Sequence, residues 1–367
     1  MKFVCDQGTL NKKLNIISKA VPSRTTLPIL QGILLEVTND GELILSASDL
    51  DMTIESKMKV ENFEPGSVVV KAKLFSDIIR KYPSADILFE EKDNVVTVKC
   101  LSSTSNLIGV SEDEFPNIKN LAENETPIKM DAAVVRDLIN KTSFAASIDS
   151  IRGVLTGILT ELRSDELRMV TVDGFRVAIA KEPMVNTEEK KVIINAKLMN
   201  ELSKIISEVE YDGDLELYLG DKKSIFVLGD TKIEVRLLDG QFSDYERFVN
   251  FNGTIEFTVD RRELLDSIER ASIFNKDDGK KPIVLNINDN VLVISSKSTE
   301  GDGEENVLIE KTGDNLQIGF NARYLKDVLK VIDDDRVLVK LKDANSACII
   351  EPVEGDAYKY LVLPMRI

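Results

Sequence analysis

The stretch NAKLMNELSKII, residues 195–206, has two counterparts in the same chain: KAKLFSDIIRKY at 71–82 and NARYLKDVLKVI at 321–332. Their alanines, Ala72, Ala196 and Ala322, are separated by 124 and 126 residues. A cation follows each (Lys73, Lys197, Arg323), then an acid four positions later (Asp77, Glu201, Asp327) and an apolar residue after it (Ile78, Leu202, Val328). A second cation comes seven after the first: Arg80, Lys204, Lys330. Positions i and i+7 share one helix face, so the spacing predicts three amphipathic helices, each with two cations in register.

Two further triplets follow the same period. Asp6, Asp131 and Asp260 stand where a helix N-cap belongs, with Leu10, Val135 and Leu264 four residues on and Leu14, Ile139 and Ile268 eight residues on. Asp260 with Glu263 also has the pattern of a capping box. GELILSAS (41–48), DELRMVTV (165–172) and DNVLVISS (289–296) follow turn-like clusters and read as strands, with Leu43/Leu45, Leu167/Met169 and Val291/Val293 on one alternating face. Self-similarity near 125 residues in a chain of 367 predicts three similar domains, 1–125, 126–252 and 253–367, in the α+β class. Each has two helices, expected at 9–20 and 72–83, 131–147 and 196–207, and 260–276 and 322–332, plus antiparallel sheets. The joins at Asn124–Thr126 and Asn250–Gly253 are short and polar, so the domains are expected to be fixed against one another.

Composition narrows the chemistry. The chain has no His and no Trp, and only three widely spaced cysteines, Cys5, Cys100 and Cys348. Histidine triads, histidine metal ligands and Cys-cluster zinc sites are thereby excluded, and a disulfide framework is disfavoured. No phosphate-cradling Gly-rich motif and no nucleophile–base pair is visible, and acids such as Asp49/Asp51 and Asp333–Asp335 read as turn residues. The expectation is a non-catalytic protein with no cofactor and no metal. MKFVCDQGTLNKKL at the start lacks the apolar run of a secretory signal, and no stretch reaches the ~18 apolar residues of a membrane span. A reducing, cytoplasmic setting is expected.

The net charge of −16 argues at first against nucleic acid, but the charge is segregated. The six predicted helices hold seventeen Lys and Arg against nine Asp and Glu, a balance of +8, so the remainder of the chain carries −24. A basic helical surface opposed to an acidic shell would hold a polyanion on one side only. Six helices cannot surround a duplex, but twelve from a dimer can: at ~10 Å each they give a circumference of about 120 Å and a hole of roughly 30 Å. A peptide-binding scaffold with no nucleic-acid role and an acidic metal-dependent hydrolase are the alternatives that composition leaves open.

Motifs along the whole chain carry a resemblance. They are MKF at the start, TLPIL (26–30), EPG (64–66), EFPN (114–117), IRGVLTGIL (151–159), VDGFRVAIA (172–180), LLDGQFSDYERF (237–248), IGFNARYLKDVL (318–329) and LVLPMRI (361–367). In this order the chain resembles the bacterial sliding clamp family, the beta subunit of DNA polymerase III. The resemblance implies the DNA clamp fold: a head-to-tail homodimer ring, three domains per chain, with helices lining the hole and sheets outside. It implies a processivity factor that encircles duplex DNA, slides without sequence preference and tethers the replicative polymerase catalytic subunit. The clamp loader and other replication and repair proteins are the further implied partners.

The same resemblance places residues in roles. Arg24, Lys73, Arg152 and Lys197 match basic positions facing DNA, with Lys12, Lys13, Arg323 and Lys326 as further candidates from the repeat. A partner-peptide pocket would take Leu155, Gly174, Phe175, Arg176 and Val177 from the second domain, Ser243, Arg247 and Phe248 from the segment that follows, and Leu361, Leu363 and Met365 from the C-terminal tail. Val172, Ser243 and Phe175 stand where relatives carry Thr, Pro and His, and Gly153 and Val154 replace two aromatics after Arg152. Ile273 and Phe274, with Leu107 opposite, would form the dimer interface.

Overall fold

The computed structural model describes the chain apart from residues 117–126, 187, 210, 212, 251–252 and 275–280, so the join at 124–126 lies outside the described residues, as do Asn117 of the EFPN motif and parts of the 250–253 join and the 260–276 helix. Seven α-helices are described: α1 (Gln7–Ile17), α2 (Ala72–Lys81), α3 (Ala132–Thr142), α4 (Ala196–Glu208), α5 (Glu246–Val249), α6 (Arg261–Ala271) and α7 (Ala322–Val331). Ala72, Ala196 and Ala322 each open a helix, and all six repeat cations on α2, α4 and α7 are exposed.

The predicted caps are formed. The Asp6 carboxylate accepts from the Thr9 backbone N–H, Asp131 from that of Ala133 and Asp260 from that of Glu263, each at 2.7 Å. The apolar positions four and eight residues on, Leu10, Val135, Leu264, Leu14, Ile139 and Ile268, are all buried. Two expected helices are too long. α3 stops at Thr142 and α6 at Ala271, each running into a 3₁₀ turn (Ser143–Ala145 and Ser272–Phe274), as α1 does at Ser18–Ala20. At each of these ends a hydroxyl donates back to the helix: Ser18 to the Leu14 carbonyl, Thr142 to Leu138 and Ser272 to Glu269. Such back-bonding competes with the α-helical ladder and tightens the last turn.

The predicted strands exist at Glu42–Ser48, Glu166–Val172 and Val291–Lys297. Leu43, Leu45, Leu167 and Met169 are buried as expected. The third strand corrects the reading: Leu292 and Ile294 are fully buried while Val291 and Val293 are half-buried. Side-chain period in a strand is two, so a repeat offset of 125 rather than 124 exchanges the faces.

The chain divides into two compact units, residues 1–136 with 201–237, and residues 137–200 with 238–367. The first holds a five-stranded sheet in the order Glu61–Glu64, Lys2–Asp6, Asp86–Lys92, Val95–Cys100, Ser103–Ile108. Its eight-stranded sheet joins the segments 32–71 and 128–236 where Thr231–Arg236 pairs antiparallel with Met52–Lys59, Ile233 opposite Ile54. Phe3, Phe75 of α2 and Phe89 are fully buried in this unit, with Phe3 stacked on Phe89 at 4.7 Å. The second unit holds a four-stranded sheet (Asp302–Leu308, Val291–Lys297, Ile283–Asn288, Leu316–Phe320) and a nine-stranded one. In the latter, Arg176–Pro183 pairs with Tyr358–Val362, Val177 opposite Leu361. The middle third of the sequence therefore gives strands to both units.

Candidate functional site

Every residue expected in the peptide pocket lies in the second unit. Its base is apolar. Val177 and Leu361, opposite each other in the sheet, are buried in a cluster with Leu159, Val172, Tyr245 and Val249, and half-buried Leu155 packs against it. Val154, Leu238 and Phe242 pack on the same cluster, and sequence reasoning missed them. One wall is the turn Asp173–Arg176. The Asp173 carboxylate accepts from the Phe175 and Arg176 backbone N–H groups at 2.9 and 3.0 Å, and Gly174 takes φ +92, a conformation open to glycine. A Cβ on Gly174 would also lie 3.3 Å from the Arg152 guanidinium, which donates to the Asp173 carbonyl at 2.7 Å. Phe175 is half exposed and stacks on Tyr324 of α7 at 6.2 Å.

The C-terminal tail completes the wall. The Leu363 N–H donates to the Phe175 carbonyl at 2.9 Å, and the Met365 N–H to Gly319 at 2.8 Å. Any side chain at Gly319 would meet the Met365 carbonyl at 2.9 Å, so glycine lets the tail seat there. Leu363 is exposed and Met365 half-buried. On the segment 243–248, Ser243, Arg247 and Phe248 are all exposed, and Arg247 pairs with Asp244 at 2.6 Å.

Arg176 has a different place from the one expected of a pocket wall. Its side chain is 6 % exposed. Nε donates to Asp173 at 2.9 Å, one terminal nitrogen to Asp327 of α7 and the other to the Phe144 carbonyl, both at 2.7 Å. Its guanidinium lies 4.6 Å from the Tyr324 ring centre and 5.3 Å from that of Phe144. Arg176 thus ties the turn to α7 and to the 3₁₀ turn after α3.

Of the residues expected to meet DNA, Arg24, Lys73 and Lys197 are exposed, and none makes an ion pair with a described residue. The second repeat cations do: Arg80 with Asp77, Lys204 with Glu201 and Lys330 with Glu269. Lys13 pairs with Asp230, and Lys326 donates to Ser272. Lys73, Lys197 and Arg323 each fall in the first turn of a helix, where a cation opposes the macrodipole by about 0.3–1 kcal/mol.

The dimer candidates divide. Leu107 is 7 % exposed, packed into its own core, while its strand neighbour Ile108 is 84 % exposed. Ile273 is exposed, and the Phe274 ring lies over Gly301 and Gly303, where an added Cβ would come within 3.1 and 2.7 Å of it. Gly303 belongs to Asp302–Leu308, the edge of the four-stranded sheet, and Leu308 on that edge is exposed. No group of acids or cysteines among the described residues is arranged to hold a metal ion. Among them, too, no helix is long and apolar enough to cross a membrane.

Helix pairs repeated along the chain and packed with antiparallel sheets define an α+β clamp-type fold. Family models for the N-terminal, central and C-terminal domains of the DNA polymerase III beta subunit match residues 1–119, 129–244 and 250–366. The chain is 32 % identical to the beta sliding clamp of Staphylococcus aureus over 100 % of its own length and 99 % of the relative. Its fold matches a putative DNA polymerase III beta subunit from Eubacterium rectale (33 % identity, TM-score 0.94, 100 % and 99 % covered). It also matches the beta subunit from Pseudomonas aeruginosa (30 % identity, TM-score 0.95, both chains covered in full). The chain belongs to the DNA polymerase III beta subunit family, the beta sliding clamps, which are non-catalytic processivity factors of the polymerase.

Proposed function

We propose that this clamp acts as a head-to-tail homodimer ring of three-domain chains that encircles duplex DNA, slides on it without sequence preference and tethers the replicative polymerase. The clamp loader and other replication and repair proteins would use the same peptide groove. The observation that carries the DNA reading is the exposed first-turn cation of α2, α4 and α7. Lys73 and Lys197, placed against their own helix dipoles, do not serve helix stability, while Arg323 also pairs with Asp327 at 3.8 Å; a phosphate would meet both the side chain and the helix N-terminus. Arg24, Lys73 and Lys197 would meet phosphates diffusely, positioning without reading bases, and Arg152 would add the part of its guanidinium not held by Asp173.

Two sheet edges support the ring. Ser103–Ile108 is a terminal strand without a single charged side chain, and Asp302–Leu308 is another with Ile273 and Phe274 beside it. The uncharged 103–108 edge invites pairing, whereas the 302–308 edge carries Asp302, Glu304 and Glu305 and offers Leu308, Ile273 and Phe274 as its apolar residues. We place the 103–108 edge of one copy against the 302–308 edge of the next, with Ile108, Ile273, Phe274 and Leu308 as the apolar contacts. Leu107 would then support the edge from inside its own domain.

The groove bounded by Phe175, Leu363, Arg247 and Phe248 over Leu155, Val177 and Leu361 suits a short, partly apolar peptide, with Arg247 on a carbonyl or carboxylate. Sedimentation tests the ring: the chain of 40.9 kDa should run as a dimer, and Ile273→Asp with Leu308→Asp should give monomers. A persistent dimer in that variant would refute the edge assignment. Lys73→Glu with Lys197→Glu should keep the dimer while weakening DNA association and flattening its salt dependence. Unchanged DNA association would remove those two lysines from the lining.

A further inference from the structure

We infer that Tyr245, seated in a socket of Glu161, Arg163 and Arg168, is a positioning residue that sets how Arg247 and Phe248 meet a peptide in the groove. The inference rests on the groove reading above.

Four residues of α-helix cannot hold their own shape in water, so α5 takes its conformation from what anchors it. Tyr245, the residue preceding it, and Val249 are one turn apart and both buried, and they turn inward together. That leaves Arg247 and Phe248 facing out, 81 % and 58 % exposed. The ring of a Phe would fill the same apolar seat, but the hydroxyl adds direction. Tyr245 Oη donates to Glu161 Oε2 at 2.6 Å and accepts from Arg163 Nη2 at 3.0 Å and Arg168 Nη1 at 3.2 Å.

The carboxylate at the centre of the socket has several donors. Glu161 is buried, and besides the phenol it receives Arg163 at 2.7 Å and Lys191 at 2.8 Å. Glu246, on the first turn of α5, receives the same two arginines at 2.6 and 3.4 Å. Two consecutive residues of the segment are thus pinned to strands Gly157–Leu162 and Glu166–Val172 and their connection. Burial raises the Glu161 carboxyl, but the hydrogen bonds from Lys191, Tyr245 and Arg163 outweigh it and the net direction is down. Burial, then the Glu161 hydrogen bond, push the Tyr245 phenol up to about 12, so the hydroxyl remains a donor. A buried ionic cluster gains little stability over apolar packing of equal volume, and what it adds is one defined geometry.

The test is a double-mutant cycle read by fluorescence titration with a labelled pentapeptide of alternating polar and bulky apolar side chains. Tyr245→Phe should weaken binding by about 5–10-fold, a charged hydrogen bond being lost from the socket. In an Arg247→Ala/Phe248→Ala background it should add nothing, because the wall it positions is gone. Glu246→Gln, a milder change on the solvent side of the socket, should follow the same pattern and covers poor folding of Tyr245→Phe. An unchanged affinity for Tyr245→Phe, with the double alanine variant weakened, sinks the pin and leaves the groove standing. Equal loss from Tyr245→Phe in both backgrounds would make it a structural residue only. If the double alanine variant itself binds normally, the wall falls and the pin with it.

Discussion

Arg176 and Arg247 belong to the same candidate groove and solve opposite problems. Arg176 is buried, its donors divided among Asp173, Asp327 and the Phe144 carbonyl, with aromatic rings of Phe144 and Tyr324 beside its plane. Arg247 stands in solvent and pairs with Asp244. A buried guanidinium with this many partners fixes backbone: it ties the 173–176 turn to α7 and to the middle of the 3₁₀ turn after α3. An exposed one with a single ion pair gains almost nothing for the fold and keeps its donors available. The proposed groove would therefore have one wall built by an arginine and another that presents one.

Substitutions at the two positions should separate sharply. Arg176→Ala leaves Asp173 without its cation, leaves Asp327 the longer pair with Arg323 at 3.8 Å, and opens a space between Phe144 and Tyr324. It should lower stability by about 3–5 kcal/mol and weaken peptide binding as a consequence. Arg247→Ala should leave the melting temperature within error, a change within about 0.5 kcal/mol, and weaken peptide binding alone. Equal melting temperatures for the two variants would dissolve the distinction. Asp327→Ala tests the Arg176 anchor from the other side, with an expected loss of about 2 kcal/mol in urea denaturation. Deleting residues 363–367 removes the tail wall and should reduce peptide affinity without dissociating the dimer, as sedimentation would report.

The socket beneath Arg247 should show in alkaline solution. Tyr245 titrates higher folded than unfolded, so its contribution is complete below the unfolded value near 10 and is lost as pH rises through about 12. Wild type should lose stability more steeply than Tyr245→Phe across that window, and parallel curves would contradict the linkage. The smallest effect concerns the helix openings. Asn195 and Asn321 cap α4 and α7 by accepting from the Lys197 and Arg323 N–H groups, whereas Lys71 at the start of α2 supplies no side-chain cap. Lys71→Asn should raise stability by about 1 kcal/mol in a thermal melt.

What was legible in the sequence was local. Asp6, Asp131 and Asp260 bond within three residues of themselves, and Ala72, Ala196 and Ala322 begin helices whose periodicity is complete in a dozen positions. Faces of strands were less so. Leu107 and Ile108 are adjacent and both apolar, and so are residues 291–294, so alternation alone cannot say which side is inward. The role of Arg176 was out of reach for another reason: its partner Asp327 lies 151 residues away, and no spacing rule connects them. Family resemblance placed both arginines in one pocket but did not distinguish the buried from the exposed. Tyr245 carried no role in the sequence, because its meaning depends on Glu161, 84 positions earlier.

Ring closure around DNA is the claim on which the lining cations, the paired edges and the tethering groove all converge. It is tested most directly by loading the protein onto a nicked circular plasmid with its clamp loader, removing the loader, and cutting the plasmid once with a restriction enzyme. The account predicts that the protein stays on the circle through gel filtration and leaves within minutes of linearisation by sliding off the ends. Equal retention on the circular and the linear form would contradict it.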